Sequence, residues 1–591
     1  MDKQIISGDE AVARGAWEAG VRVAAAYPGT PSTEILENLS LFKDDVYVQW
    51  ACNEKVAFEI AAGAAIGGVR SLAAMKHVGM NVAADPMFTL AYTGVNAGFV
   101  VVTADDPGCH SSQNEQDNRW YALHAKCLML EPSDSAECRD FTIAAFELSE
   151  KYDIPVILRM TTRVCHSKSL VQLGQRQAPP VKTYEGNAQK YAMLPANARP
   201  RHAYVEENLA RLEEVSSSSP LNRVEWGTDT KIGVISSGIS YMYAKDAFGP
   251  EASYLKLGFT NPMPKSLIRD FCSRVDKVCI VEEGDGFIEY AVKALGIECT
   301  GKDVVPRLGE LDSQTVALAF GLAEKPQVYS ADAAAPARPP VLCAGCPHRG
   351  FYFALRSRRA KIAPLGDIGC YSLGCLPPFN GFDAALCMGS GWSSTIGLAK
   401  ALKAQNDERK VLGLLGDSTF FHSGITGLID VVHSNSDVIL CLLDNSITAM
   451  TGHQDHPGTS GNLMGETVTP VDPLAIISAT GLSDERIRIV DPIDQVQMGA
   501  ALDEAIAASG PFVIICRRPC ALLKPVMAAN AGIRCVVNTE KCIGCRQCVK
   551  TACPSLTFEN GKSVIYDPAG CTGCGLCMQQ CRFGAIERIG G

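Results

Sequence analysis

The residues with the most evident chemistry lie at the C-terminal end of the chain. Cys542, Cys545, Cys548 and Cys553 form one run, and Cys571, Cys574, Cys577 and Cys581 form a second. In each run three thiols are two residues apart, so a tight loop can turn them toward one centre. A cubane cluster needs four thiolates, and where two such runs occur together the last Cys of each ligates the cluster of the other. That rule assigns Cys542, Cys545, Cys548 and Cys581 to one [4Fe–4S] cluster. It assigns Cys553, Cys571, Cys574 and Cys577 to a second. Zinc is the competing ion, although zinc sites rarely repeat a three-Cys loop with an exchanged fourth ligand. Cys553 follows one residue later than usual, and Arg582 stands where a proline commonly follows the last thiol. Neither departure removes a ligand.

A second constellation lies upstream. Gly416-Asp417-Ser418 closes the apolar run Lys410–Leu415, and Asp444-Asn445 closes the run Val438–Leu443. As parallel strands joined by a helix, these runs set Asp417 and Asn445 side by side at the carboxyl edge of a sheet. Open α/β sheets bind ligands at that edge. Mg²⁺ prefers oxygen ligands, commonly one or two carboxylates completed by phosphates. Asp417, the Asn445 amide and the Ile447 carbonyl offer three such oxygens. The pattern resembles the motif that holds thiamine diphosphate, with Ser418 where that motif has a glycine. The competing reading is a pair of turns in which Asp417 and Asn445 only cap backbone groups. Thiamine enzymes also need a carboxylate from another domain to hydrogen-bond the aminopyrimidine. Glu54, after the strand-like Val46–Trp50 and ahead of the small-residue helix Ala57 to Gly68, fits that role. Taken alone, Glu54 reads first as an N-terminal charge complementing a helix dipole; Asp417 and Asn445 on a separate α/β unit turn the reading toward the cofactor role.

These sites need several cores to position them. At 591 residues the chain is long enough for about four domains of roughly 150 residues. Residues 1–168 alternate β-branched runs (Val21–Ala26, Gly98–Thr103, Ile154–Arg159) with Ala/Gly-rich segments, a βα pattern. Residues 169–228 are polar and broken by prolines, and read as a linker or irregular excursion. Residues 229–326 form a smaller βα unit, with Lys231–Ser236 and Lys277–Glu282 as strands. The stretch from Ala333 to Pro340 reads as a linker. Residues 340–526 make a further α/β region, and 530–591 the Cys-rich module. The 47% hydrophobic and 20% charged fractions are those of a globular protein. A net charge of −10 without a basic block argues against nucleic acid. No apolar run approaches the ~18 residues of a membrane span, and the first residues do not read as a secretory signal. Twenty-five cysteines in a chain expected in the reducing cytoplasm point to metal ligation rather than disulfides.

Further motifs carry a family resemblance. Gly8-Asp9-Glu10-Ala11, Tyr27-Pro28-Gly29-Thr30-Pro31-Ser32, Lys76-His77-Val78-Gly79 and Ser112-Gln113-Asn114-Glu115-Gln116-Asp117 resemble the pyrimidine domain of 2-oxoacid:ferredoxin oxidoreductases. Cys343-Ala344-Gly345-Cys346-Pro347-His348-Arg349 and Met450-Thr451-Gly452-His453-Gln454 resemble their diphosphate domain. The domain order over nearly the whole chain is most similar to the alpha subunits of the indolepyruvate type. The resemblance implies a multidomain α/β architecture. Two doubly wound thiamine diphosphate-binding folds would flank a transketolase C-terminal-like domain at 229–326, with an α+β two-cluster ferredoxin module last. It implies oxidative decarboxylation of an aryl pyruvate with coenzyme A, with electrons leaving singly through the clusters to ferredoxin. It also implies a separate beta subunit, an α₂β₂ assembly, and pyrimidine and diphosphate domains that meet at an interface. Gly416, Asp417, Ser418, Asn445 and Glu54 would then bind cofactor, with Asp417, Asn445 and Ile447 on Mg²⁺. Thr30 would contact substrate, and His77 and Arg119 are weaker candidates for the substrate carboxylate.

By the same resemblance Cys343, Cys346, Cys370 and Cys520 match the layout of a third cluster beside thiamine diphosphate; the alternative is four buried thiols acting as small apolar groups. The remaining cysteines, Cys535 among them, show no ligand spacing. His453 and His456 have zinc-like spacing, but they fall in the loop expected beside the cofactor, where a metal is not expected. Glu282-Glu283 reads as a strand end. Three other functions compete: the same chemistry on phenylpyruvate or a branched-chain acid, an electron-transfer subunit with a vestigial thiamine site, and a non-oxidative decarboxylase. The last has no use for clusters.

Overall fold

The computed structural model describes residues 3–324 and 339–590. Two compact units divide the chain: Met1–Ala331 with Leu463–Gly465, and Asp332–Asn462 with Glu466–Gly591.

The first unit is built on a seven-stranded sheet. In spatial order its strands are Phe259–Asn261, Leu128–Leu130, Val156–Thr161, Phe99–Asp105, Ser71–Lys76, Val23–Ala26 and Tyr47–Trp50. All neighbours run parallel except Phe259–Asn261, which is antiparallel to Leu128–Leu130. Central strands of a parallel sheet are covered on both faces, so they read as continuous apolar runs. Val100 and Val102 pack into one core and Phe99 and Val101 into the core on the opposite face. Because the strands are parallel, Thr30, Glu54, His77 and Asp106 all follow strands at the same carboxyl edge.

A smaller sheet in the same unit has the order Lys277–Val281, Ile232–Ser237, Ser253–Leu257, Arg223–Glu225, with only the last strand antiparallel. The second unit carries a five-stranded parallel sheet. Its order is Ile362–Leu365, Lys410–Gly416, Val438–Asp444, Phe512–Arg517, Ile487–Val490. Two short hairpin-like pairs complete the C-terminal module: Arg534–Val537 with Ile586–Ile589, and Leu556–Glu559 with Lys562–Ile565.

Three expectations about organisation need correction. The segment 169–228 is not irregular throughout: it holds the 24-residue helix Pro195–Ser218. Of the helix prolines, Pro195 is its first residue, where a missing N–H costs little, whereas Pro200 lies inside the helix. A boundary at 168 would cut the strand Lys168–Gln172, which pairs antiparallel with Lys3–Ser7. The segment from 229 also lends Phe259–Asn261 to the first sheet. Of the linker from Ala333 to Pro340, residues 333–338 lie outside the described residues.

Candidate active site

In the first unit, Asn53 caps the helix Glu54–Ile66: its side chain accepts a 2.9 Å hydrogen bond from the Val56 N–H. Glu54 therefore starts the helix, and its carboxylate is only 5% exposed. The chain at Gly79 runs against it. A β-carbon there would lie 2.7 Å from Glu54 Oε1, so only glycine leaves the carboxylate its place. Lys76 stands nearby, its ammonium pKa lowered by burial against the pull of Asp106 and Glu54, and its Nζ donates to the Ser111 carbonyl at 3.0 Å. The turn bearing Thr30 touches the same lysine: a β-carbon on Gly29 would meet the Lys76 stem at 3.1 Å. Thr30, Glu54 and Lys76 thus gather at one sheet edge.

His77 and Arg119 are elsewhere engaged. His77 is fully buried, with Nε2 3.1 Å from the Asn114 carbonyl. Arg119 Nη1 donates to Glu282 Oε2 at 2.6 Å, Nε to Asp117 at 2.9 Å, and Nη2 to the Glu283 and Asp285 carbonyls. A guanidinium engaged in this way joins the two sheets of the unit and is 1% exposed, which places it away from a substrate carboxylate.

In the second unit, Asp417 and Asn445 follow adjacent parallel strands paired in register through Gly416 and Leu443. Gly416 must be glycine, since a β-carbon would meet the Tyr371 ring at 2.6 Å. Ser418 continues into a helical turn (Asp417–Thr419), so no left-handed residue is required at that position. Its hydroxyl accepts from Thr448 at 3.0 Å. The head of the Asn445 amide lies 2.7 Å from the Ile447 carbonyl oxygen and 3.2 Å from Asp417 Oδ1. With the amide oxygen facing in, three acceptors converge with no hydrogen between them, and a cation relieves their repulsion. Adjacent ligands on octahedral Mg²⁺ at 2.0–2.1 Å stand about 3 Å apart, so the donor set fits that ion. Turned the other way, the amide donates to both oxygens; which orientation holds depends on the partner present.

Two histidines complete this edge. His456 Nε2 is 3.1 Å from Asp417 Oδ2, fixing the carboxylate from its outer side. His348 is buried with Nε2 lacking any hydrogen-bond partner among the described residues. Burial pushes its imidazole down to about 4, so the ring is neutral at physiological pH. Sequence reasoning set His456 aside because its spacing suggested only an improbable zinc pair, and it gave His348 no role of its own.

The thiols fall into sets. One cavity is lined by Cys542, Cys545, Cys548 and Cys581. A second is lined by Cys553, Cys571, Cys574 and Cys577, together with Cys535 and Cys346. The structure therefore brings the fourth thiol of each run to the other run's loop. The extra residue before Cys553 is absorbed by the turn Cys548–Thr551 and by Ala552 in a left-handed conformation (φ 54°). Cys535, which has no ligand spacing, proves to be a fifth thiol beside the second set, and its N–H donates to Cys571 Sγ at 3.3 Å.

Cys343, Cys346, Cys370 and Cys520 also gather. Burial and then the neighbouring Cys520 push the Cys370 thiol up to about 12, and Cys343 and Cys370 each raise Cys346. Among the described residues no three thiols have sulfurs mutually within 4.8 Å. A tetrahedral zinc would hold them about 3.8 Å apart. Arg349 ties the loop to the C-terminal module through the Cys343, Thr551 and Ala552 carbonyls.

Comparison with known proteins agrees with this geometry. The family described as pyruvate flavodoxin/ferredoxin oxidoreductase, thiamine diP-binding, matches residues 14–218. The thiamine pyrophosphate enzyme C-terminal TPP-binding domain matches 367–516, and a 4Fe-4S binding domain matches 564–587. The indolepyruvate oxidoreductase subunit IorA of Archaeoglobus fulgidus is 42% identical over 99% of this chain and 97% of its own length. The chain belongs to the IorA family. The IorA of Methanothermobacter thermautotrophicus is 40% identical over 100% of this chain and 98% of its own. A solved 2-oxoglutarate:ferredoxin oxidoreductase from Magnetococcus marinus overlaps 54% of this chain and 65% of that chain, with a TM-score of 0.47 and 18% identity. The IorA-family chain is thus an oxidoreductase with thiamine diphosphate-binding domains and an iron–sulfur domain. No helix among its described residues is long and apolar enough to cross a membrane.

Proposed function

We propose that this chain is the catalytic alpha subunit of an indolepyruvate:ferredoxin oxidoreductase. It would convert an aryl pyruvate and coenzyme A to aryl-acetyl-CoA and CO₂, delivering two electrons singly to two oxidised ferredoxins. The observation that carries this reading is the three-oxygen nest of Asp417, Asn445 and Ile447, set among carboxyl-edge loops that also bear Cys370 and Cys520. Thiamine diphosphate, when bound, would supply the electron sink for loss of CO₂, and the electrons that the clusters take up come from the oxoacid.

The protein's own groups would do the rest. Asp417, Asn445 and the Ile447 carbonyl hold Mg²⁺ against the diphosphate, and His456 keeps Asp417 oriented. Glu54 hydrogen-bonds the aminopyrimidine, its position protected by Gly79. Thr30 contacts the substrate. Cys343, Cys346, Cys370 and Cys520 hold the first cluster, and the C-terminal sets hold two more. The chain works in the cytoplasm with a smaller beta subunit in an α₂β₂ assembly; full activity of the isolated chain would count against that stoichiometry.

The test is Glu54→Gln in the co-expressed complex, assayed anaerobically by viologen reduction with indolepyruvate, phenylpyruvate and pyruvate. Turnover should fall at least ~10²-fold with thiamine content retained, and the wild type should prefer the aryl acids. Unchanged turnover in the variant, or equal wild-type rates on pyruvate and indolepyruvate, would refute the respective part.

A further inference from the structure

Away from the thiamine and cluster sites, three ionisable side chains from three helices converge at the base of the Thr30 turn. Asp9 lies in the first turn of Gly8–Glu18, Glu34 in the first turn of Thr33–Leu39, and His166 ends Thr162–His166. One ligand atom from each lies within 4.8 Å of the other two, with His166 Nε2 3.9 Å from Glu34 Oε2. Gly8 makes the approach possible: a β-carbon there would sit 2.1 Å from the Val164 carbonyl oxygen, so only glycine lets the Cys165-His166 turn close on Asp9.

Asp9 does not behave as a solvated acid. It is 0% exposed, and neither carboxylate oxygen has a hydrogen bond, nor does Glu34 Oε2. What it faces is Glu34 and the Cys165 thiol. A buried carboxylate set against a second carboxylate, with only a weakly donating thiol beside it, leaves its charge poorly compensated. The imidazole is arranged differently. Its Nε2 faces Glu34, and the backbone of Pro31 lies beside the ring.

We propose that Asp9, Glu34 and His166 form a divalent metal site of the zinc class, separate from the catalytic Mg²⁺. Two carboxylates and an imidazole are a mixed oxygen/nitrogen set suited to zinc rather than to Mg²⁺. Sub-ångström rotations bring the three atoms onto one ion at ~2.0–2.2 Å, and the half-exposed Glu34 and His166 leave an entry path. The ion neutralises Asp9 and staples three helices beneath Thr30.

The test uses the cluster-loaded complex with its beta subunit, stripped of loosely bound metal, then titrated with Zn²⁺ under anaerobic conditions. His166→Gln and Asp9→Asn serve as variants. The first changes a half-exposed side chain. The second gives Glu34 an amide donor and so keeps the fold without an ion. The wild type should bind ~1 Zn²⁺ per chain more than either variant and melt at higher temperature with zinc. The variants should show no zinc-dependent shift, and iron content should be equal in all three. The inference is overturned if all three bind the same zinc. It is equally overturned if the wild type binds none, because a proton shared between Asp9 and Glu34 then explains the pair.

Discussion

At Gly79 a single hydrogen in place of a methyl group decides whether a carboxylate can reach its station. A β-carbon 2.7 Å from Glu54 Oε1 would push the acid aside, because every atom it meets belongs to the Glu54 side chain. Gly79→Ala is therefore expected to lower kcat by a factor approaching that of Glu54→Gln, while the melting temperature changes little; equal kcat in Gly79→Ala and wild type would argue that Glu54 tolerates displacement. Arg119 poses the opposite case. Its guanidinium is 1% exposed and ion-paired to Asp117 and Glu282. Arg119→Met leaves the buried Glu282 without its ion-pair partner and Asp117 with only Arg159 at 3.5 Å, and should cost about 3–5 kcal/mol of stability. The KM for the oxoacid should stay unchanged in the folded fraction, and a selective rise in KM would restore a substrate role. The cluster thiols were legible from spacing alone, because a three-Cys loop is a local geometry. His456 against Asp417 and Cys535 beside Cys571 were not, since each contact joins residues with no shared period or motif.

Among the elements, the loop Cys343–Cys346 and the loop Cys571–Cys574 pack so closely that Gly345 has no room for a side chain. It adopts φ 72°, and a β-carbon would lie 2.1 Å from Thr572 Oγ1. Gly345→Ala should separate the two loops. Electron delivery from substrate to ferredoxin should then slow, with thiamine content unchanged; a normal rate would mean the loops need not touch. Glu283 sets a pH dependence in the first unit. Burial raises its carboxyl from an ordinary 4.5 to about 7. The folded protein keeps a proton that the unfolded chain has already released across that window, so stability declines as pH rises from ~4.5 to ~7. Glu283→Gln should flatten that decline in anaerobic melting curves; an identical slope would place the titration elsewhere. The strands that carry these sites were legible because both of their faces are apolar. The helix Pro195–Ser218 was obscured by its prolines: Pro195 opens it, where proline is tolerated, but Pro200 lies inside it, against the usual rule.

For the whole molecule the account makes a stoichiometric claim and a functional one. Three thiol sets predict ~12 irons per chain in an anaerobic preparation, and ~8 would reduce Cys343, Cys346, Cys370 and Cys520 to packing groups. The order of folds in the chain could be read from composition and motif, but the exchange of Phe259–Asn261 into the first sheet could not, because a three-residue edge strand leaves no periodic signal. The central claim is that electrons released at the thiamine site enter the clusters of the same chain. The direct measurement is electron paramagnetic resonance of the anaerobic complex mixed with indolepyruvate, with and without thiamine diphosphate and Mg²⁺. The prediction is a reduced-cluster signal that requires both cofactor and oxoacid and that Glu54→Gln abolishes. Clusters that dithionite reduces but that indolepyruvate leaves oxidised, even with cofactor bound, would contradict it.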